Sequence, residues 1–275
     1  MYVDFHLHTS VSDGGESPEY IINECVRKGL KIIAITDHNS FYKYEVPNSN
    51  FKIINGIEMD VKYNKKVFHM LLYGFNEKDS LFLKYLRKSR NYDIRYFKKN
   101  LSILSELFKF NFDKNEISKF IRNNCYFDRV RINKFLVEQG ICSSEEDAYY
   151  LYTKNLPKKK RLAISIEECA AIAKSSGSTM SLAHPLKYDL DLDSMKDIIT
   201  ELHKSYSLNV IEAINNHQTL EDEAKLLEFC KANNLLVSSG SDTHYKKGVV
   251  SSKEAGVVLG KKITERDTTF LKLIK

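Results

Sequence analysis

The chain has 275 residues, of which 43% are hydrophobic, 11% aromatic and only 4 are Pro; that much apolar surface can offset the entropy of ordering a backbone, so disorder as a whole is excluded. The length allows one large domain or a domain carrying an insertion. The formal charge of +6 is uneven, because residues 76–165 hold 20 Lys and Arg against 11 Asp and Glu while the remainder holds 22 against 25, so a positive middle segment suited to phosphate-bearing ligands sits in a slightly acidic scaffold.

Seven short runs rich in β-branched residues predict strands at Tyr2–His8, Lys31–Asp37, Phe51–Val61, Lys65–Phe75, Thr179–His184, Leu208–Asn215 and Leu235–Ser241. Between the first two, Ser17 and Pro18 open a helix that Gly29 closes. Strand, helix and strand in so short a span form a βαβ unit, which favours parallel pairing. From about Glu77 to Leu162 no strand pattern is evident, and the segment reads as helices around SLFLKYLRKSRNYDIRYFKKNLSILSELF, NEISKFIRNN, RINKFLVEQG and SEEDAYYLYTKN. Ser165-Ile-Glu-Glu then caps a further helix, and strands and helices alternate to the end. The chain is therefore expected to be α/β, with residues 1–75 and 166–275 forming the sheet-bearing domain and residues 76–165 a basic helical insertion.

No run approaches the roughly 20 consecutive apolar residues needed to span a bilayer, and MYVDFHLH reads as a strand rather than a signal segment, so no membrane association and a cytoplasmic location are expected. Five scattered cysteines without CxxC spacing read as buried or semi-buried thiols.

Six of the eight histidines (His6, His8, His38, His69, His184 and His244) fall in or at the ends of the predicted strands. Residues drawn from several strand ends converge in α/β folds. His6 and His8 at i and i+2 share one face of a strand, and Asp242 and His244 repeat that spacing. Asp37 and His38 are adjacent, so only one is expected to touch a metal; His38 is favoured, with Asp37 as its supporting partner. Glu58 and Asp60 face the same way, and either carboxylate could bridge two ions. With Asp13 nearby, these groups predict a metal centre. A Ser-His-Asp hydrolase would need a GxSxG elbow and a nucleotide-triphosphate enzyme a Walker loop; neither is present.

The motifs FHLHTSVSDG at 5–14, ITDHN at 35–39, GIEMD at 56–60, HMLLYGF at 69–75, LAHP at 182–185 and GSDTH at 240–244 resemble, in order, those of the PHP (polymerase and histidinol phosphatase) family of metal-dependent phosphoesterases. The resemblance implies a distorted seven-stranded (β/α)7 barrel with a helical insertion. It also implies two or three divalent ions: one held by His6, His8, Glu58 and Asp242, a second by Glu58, His69 and His184, a third by Asp13, His38 and His244. Mixed imidazole and carboxylate donors suit Mn, Fe or Zn better than Mg or Ca. Bridging ions acidify water to hydroxide and neutralise the charge that builds up in phosphoester displacement.

Within the family, SDGGESPEY and DRVRINKFLVEQGICSSEEDAYYLY are most similar to the subgroup acting on nucleoside 3′,5′-bisphosphates and on the 5′ ends of short RNAs. That subgroup tends to carry Arg-Pro-His where this chain has Arg129, Val130 and Arg131. An arginine's planar fork can hold a phosphate in bidentate fashion, so Arg129 or Arg131 is expected to grip the phosphate that is not cleaved. The run Lys158 to Arg161 is a weaker candidate for nucleic-acid backbone. His217 resembles a subgroup histidine that could contact phosphate or protonate the leaving oxygen, and Glu212 is a candidate to orient neighbours. Two other readings are a phosphatase for histidinol phosphate or another small ester, and a non-catalytic metal-binding module associated with a polymerase. No stable protein partner is expected.

Overall fold

The computed structural model describes residues 1–157, 159–160, 162–244 and 254–274. The chain begins with β1 (Tyr2–Leu7), α1 (Pro18–Arg27), β2 (Leu30–Ile35), β3 (Lys52–Tyr63) and β4 (Lys66–Tyr73). Helices α2 (Ser80–Phe108), α3 (Lys114–Asn123), α4 (Arg129–Glu138) and α5 (Glu145–Ala148) follow, the last running into a π-helical turn at Tyr149–Thr153. Then come β5 (Ile164–Ser165), α6 (Ile166–Ser176), β6 (Thr179–Leu182), α7 (Leu192–Tyr206), β7 (Val210–Ile214), α8 (Leu220–Ala232) and β8 (Leu236–Ser239), with a small antiparallel pair β9 (Val257–Val258) and β10 (Lys261–Lys262). Each of the seven predicted runs contains a strand. The strands stop short, however, of His8, His38, His184 and Asp242, which follow them at one end of the sheet.

The main sheet is mixed, in the order β1-β2-β3-β4-β6-β7-β8, with β5 pairing β3. Neighbours β1/β2, β2/β3, β6/β7 and β7/β8 are parallel, whereas β3/β4 and β4/β6 are antiparallel. The antiparallel pair has a local cause. Only Asn64 and Lys65 separate β3 from β4, and both have positive φ, 46° and 66°, the backbone of a type I′ hairpin turn, which reverses the chain. The two-residue strand at Ile164–Ser165 follows the helical stretch and pairs with β3.

A closed seven-stranded barrel is not seen among the described residues. The two sheet ends meet without a continuous ladder: a bridge pairs Leu7 with Thr243, and the backbone N–H groups of His8 and Asp242 donate to Thr243 O (3.0 Å) and His6 O (2.9 Å). The buried Asp4 carboxylate clamps the same junction by accepting from the backbone of His6, Ser241 and Gly256. Burial, opposed by those hydrogen bonds, raises its pKa to about 6.

One apolar cluster fills the space beneath the sheet and includes Phe5, Met59, Phe68, Leu72, Phe82 and Leu182. A separate cluster of Phe97, Leu104, Phe120, Phe127, Phe135 and Leu136 lies within the helical segment. Helix α2 contributes Phe82 and Tyr85 to the first and Phe97, Leu101 and Leu104 to the second. Its 29 residues make a rod about 43 Å long at 1.5 Å per residue, so one continuous helix contributes to both clusters. No described helix is long and apolar enough to cross a membrane. Of the cysteines, Cys25, Cys169 and Cys230 are buried and Cys142 is half-buried; Cys125, expected to be covered, is exposed in the α3–α4 loop.

Gly240 is required by the approach of the sheet ends. A Cβ there would lie 2.2 Å from His6 Cβ and 2.8 Å from Glu212 Oε1. Gly240→Ala is expected to cost about 1–3 kcal/mol in urea unfolding, as overpacking does, and to weaken manganese binding by displacing His6. Gly177→Ala, in a helix cap with no atom within 4 Å, should lower stability alone.

Candidate metal centre

Glu58 stands at the middle of the site, on β3 and 1% exposed. Its Oε1 is 2.8 Å from His69 Nδ1, 3.0 Å from His184 Nε2 and 3.5 Å from His6 Nε2. Its Oε2 is 3.0 Å from His38 Nδ1 and 3.3 Å from His8 Nε2. On one flank, Asp242 Oδ1 lies 3.3 Å from His8 and 3.5 Å from His6. On another, Asp13 lies 3.6 Å from His8, 3.6 Å from His38 and 3.4 Å from His244. All nine residues expected to hold metal are thus brought together from both sheet ends and the hairpin between them.

Among the described residues, their donor atoms and that of Asp60 fall into four overlapping groups, each within 4.8 Å: His8, Asp13, His38 and His244; His6, Glu58 and His184; His6, His8 and Asp242; and His38, Asp60 and His69. The partition differs from the expected one: His69 falls with His38 and Asp60 rather than with Glu58 and His184, His6 takes its place there, His8 also joins the Asp13 group, and Glu58 is not grouped with His6, His8 and Asp242. His69 bridges two carboxylates, with Nδ1 on Glu58 and Nε2 3.1 Å from Asp60 Oδ1, which follows from the register that sets Asp60 directly opposite His69.

Three residues here have left-handed backbones: Asn39 (φ 49°), His184 (φ 28°) and Asp242 (φ 51°). Such conformations cost about 1–3 kcal/mol each and persist where the surroundings over-determine them. Each has its N–H pinned, Asn39 to Glu58 O, His184 to Glu212 Oε2 and Asp242 to His6 O. Glu212, fully buried on β7, also accepts from or faces His6 Nδ1 at 2.8 Å, so one carboxylate orients two of the imidazole-bearing residues. Asn39 donates to Asp60 and accepts from Tyr85. Tyr188 accepts from the His69 backbone.

Asp37 takes a different role from the one expected. Its carboxylate accepts from Thr9 N, Thr9 Oγ1, Ser12 Oγ and Tyr44 OH, so it fixes the loop that carries Asp13 rather than the His38 ring. The reason is geometric: β2 ends at Ile35, and the adjacent side chains diverge.

Burial alone would depress every imidazole here, yet the carboxylates of Glu212, Glu58 and Asp242 outweigh it at His6 and hold that ring well above its usual pKa. His8 and His69 are pushed up to about 9 by the same contest. His184 and His38 go the other way, because for them desolvation wins. Against the penalty of burial, the facing histidines hold Glu58, Asp13 and Asp242 below the ordinary carboxylate range. Several of these atoms lack hydrogen bonds: His8 Nδ1, His184 Nδ1 and Glu58 Oε2 find no partner of good geometry although they are buried. His6 Nε2 and His8 Nε2 face each other at 3.1 Å. Buried polar atoms without partners and donors crowded within 4.8 Å of one another fit a cation, and the donor set of imidazole nitrogen and carboxylate oxygen suits a divalent transition metal.

Arg131 reaches the site and Arg129 does not. The Arg131 guanidinium donates to Ser10 O and Ser12 O and lines a cavity of about 490 Å³ shared with Asp13 and His244. Arg129 donates to Leu156 O within the helical segment. His217 Nε2 is 2.7 Å from Asp242 Oδ2, and Lys187 Nζ lies 3.7 Å from the same oxygen. Lys187 was not anticipated, although it follows LAHP by only two residues. Lys158 and Arg161 of the basic run lie outside the described residues; Lys159 pairs with Asp93 at 2.8 Å and covers the Tyr126 ring.

A model of the PHP domain matches residues 4–182. A 5′-3′ exoribonuclease of Escherichia coli is 23% identical over 259 residues, covering 88% of this chain and 84% of that protein. A 3′,5′-nucleoside bisphosphate phosphatase of Chromobacterium violaceum is 22% identical over 255 residues, covering 88% and 87%. Among solved structures, a Bifidobacterium adolescentis protein described provisionally as a metal-dependent phosphoesterase superposes with a TM-score of 0.68 at 21% identity, over 94% of this chain and 91% of that one.

Imidazoles with raised pKa contribute stability that is complete below about 6.5 and lost as pH rises through their folded value. Chelator-treated protein should therefore melt at falling temperature from pH 6.5 to 9 as His8 and His69 deprotonate. Added manganese should flatten that decline, because the cation takes the place of the protons. A melting temperature independent of pH without metal would contradict this assignment.

Proposed function

The chain belongs to the PHP domain family and is a metal-dependent phosphoesterase, and on that premise we propose that it hydrolyses a phosphate ester of a nucleoside 3′,5′-bisphosphate or of the 5′ end of a short RNA. The observation that carries this reading is the cavity joining Asp13 and His244, at the edge of the histidine cluster, to Arg131 and Lys134 of the helical segment. Such a cavity offers a reacting centre at one wall and cationic groups for a second phosphate at the other. The E. coli and C. violaceum relatives, named for RNA and for bisphosphates, match over most of their lengths.

In this reading the sheet forms the wall of a distorted barrel, and residues 76–165 are an insertion that supplies recognition. His6, His8, Asp13, His38, Glu58, His69, His184, Asp242 and His244 hold two or three divalent ions, Mn, Fe or Zn, with Glu58 shared. Bound there, the ions supply the Lewis acidity that activates water and neutralises charge on the phosphoryl group. Glu212 keeps His6 and His184 in place. Asp37 holds the Asp13 loop. His217, already within 2.7 Å of Asp242, can hold a proton at Nε2 for the departing oxygen. Lys187 places a positive charge beside the same carboxylate, and Arg131 stands where an uncleaved phosphate would meet it. A cytoplasmic location, where such nucleotides occur, belongs to the same reading.

Release of inorganic phosphate from adenosine 3′,5′-bisphosphate in the presence of manganese is the test. His8→Ala and Asp242→Ala should lower kcat/KM by at least about 100-fold, the upper range even for outer partners of metal ligands, with the circular dichroism spectrum unchanged. Turnover of histidinol phosphate with none of the bisphosphate or of 5′-phosphorylated RNA would replace the substrate.

A further inference from the structure

Two large apolar side chains that line the cavity beside Asp13 and His244 are left open to solvent among the described residues. Tyr42, on the loop between β2 and β3, is 48% exposed, and Val130, in the first turn of α4, is 47% exposed. The wall also carries Asp13 and His244 of the histidine cluster and, from the helical segment, Arg131 and Lys134. An accessible aromatic face on the wall of a cavity that also carries charged groups is a surface on which a flat apolar group can stack.

The ring is also held in position. Its neighbour Phe41 packs edge-on against Phe75 at 4.9 Å and Phe82 at 6.1 Å, which roots the loop in the main core. On the other side the Tyr44 ring lies 5.6 Å from the Tyr42 ring, and the Tyr44 hydroxyl donates to Asp37 Oδ2 at 3.0 Å. Asp37 is the carboxylate that ties down Thr9 and Ser12, next to Asp13. The loop bearing the exposed ring and the loop bearing a candidate metal ligand are therefore both tied to one buried carboxylate.

We propose that Tyr42, with Val130 on the insertion side, forms the platform on which the nucleobase of the substrate stacks. This rests on the nucleotide reading above and adds to it a ground for selectivity: the substrate is chosen for having a flat aromatic base, and the identity of the base matters little, since every base offers a π-face. The cavity of about 490 Å³ is within the size range of small-molecule sites.

The test compares adenosine 3′,5′-bisphosphate with the abasic deoxyribose 3,5-bisphosphate, in manganese. The wild type should prefer the nucleotide, and cytidine and uridine bisphosphates should fall within a few-fold of it. Tyr42→Ala should reduce the preference, as a ratio of kcat/KM values, by about tenfold, mainly through KM, in the range of losing one stacked ring; Tyr42→Phe should retain it. An unchanged ratio in Tyr42→Ala overturns the platform. Equilibrium dialysis of adenosine monophosphate separates the two levels. A wild type that hydrolyses neither bisphosphate, while Tyr42→Ala still weakens nucleotide binding, overturns the substrate and retains the platform. Equal nucleotide binding by wild type and Tyr42→Ala overturns the platform itself.

Discussion

Glu58 is withdrawn from water and faced by five imidazoles, and much of the surrounding architecture serves to hold that arrangement. A carboxylate buried in this way is costly unless opposite charge compensates it. The same carboxylates raise the basicity of His6, His8 and His69, so positive charge is favoured beside Glu58, and a divalent cation shared by several donors would supply it as well. The tightness of the packing follows. Gly240 leaves no space for a side chain beside His6, and the left-handed backbones of His184 and Asp242 are each secured by a hydrogen bond from their own N–H.

The mixed sheet explains how the residues arrive. Parallel strands β1, β2, β7 and β8 deliver groups at their carboxyl ends, where such folds gather their ligands. The hairpin of β3 and β4 places Glu58, Asp60 and His69 inside strands rather than after them, and its register puts Asp60 beside His69. The basic helical segment stands on the long α2 and leans Arg131 back onto the loop at Ser10 and Ser12, which closes one side of the cavity without burying the reaction centre.

Much of this was legible because a cluster of histidines and carboxylates leaves a coarse signature: histidines and acids at strand ends, with spacings of two. The runs of β-branched residues located all seven long strands. What escaped was set by local geometry or by contacts distant in the chain. The reversal at Asn64 and Lys65 is encoded in two residues that adopt positive φ, a weaker signal than the hydrophobic run it interrupts. Glu212 could be named only as a candidate, since its service to His6 and His184 is visible once three strands meet. Asp37 was paired with its sequence neighbour, although its hydrogen bonds run to Thr9, Ser12 and Tyr44. Nothing in the order of residues distinguishes Arg129 from Arg131; the helical phase of α4 does, sending one to Leu156 and the other to the cavity.

Anomalous scattering from crystals grown with manganese tests the central claim most directly. At least two peaks are expected within coordination distance of the nine side chains, one of them touching both His6 and His8 and another touching His69 or His184, with Glu58 common to both. Ions bound elsewhere, or a Glu58 carboxylate that contacts none of them, would contradict the account.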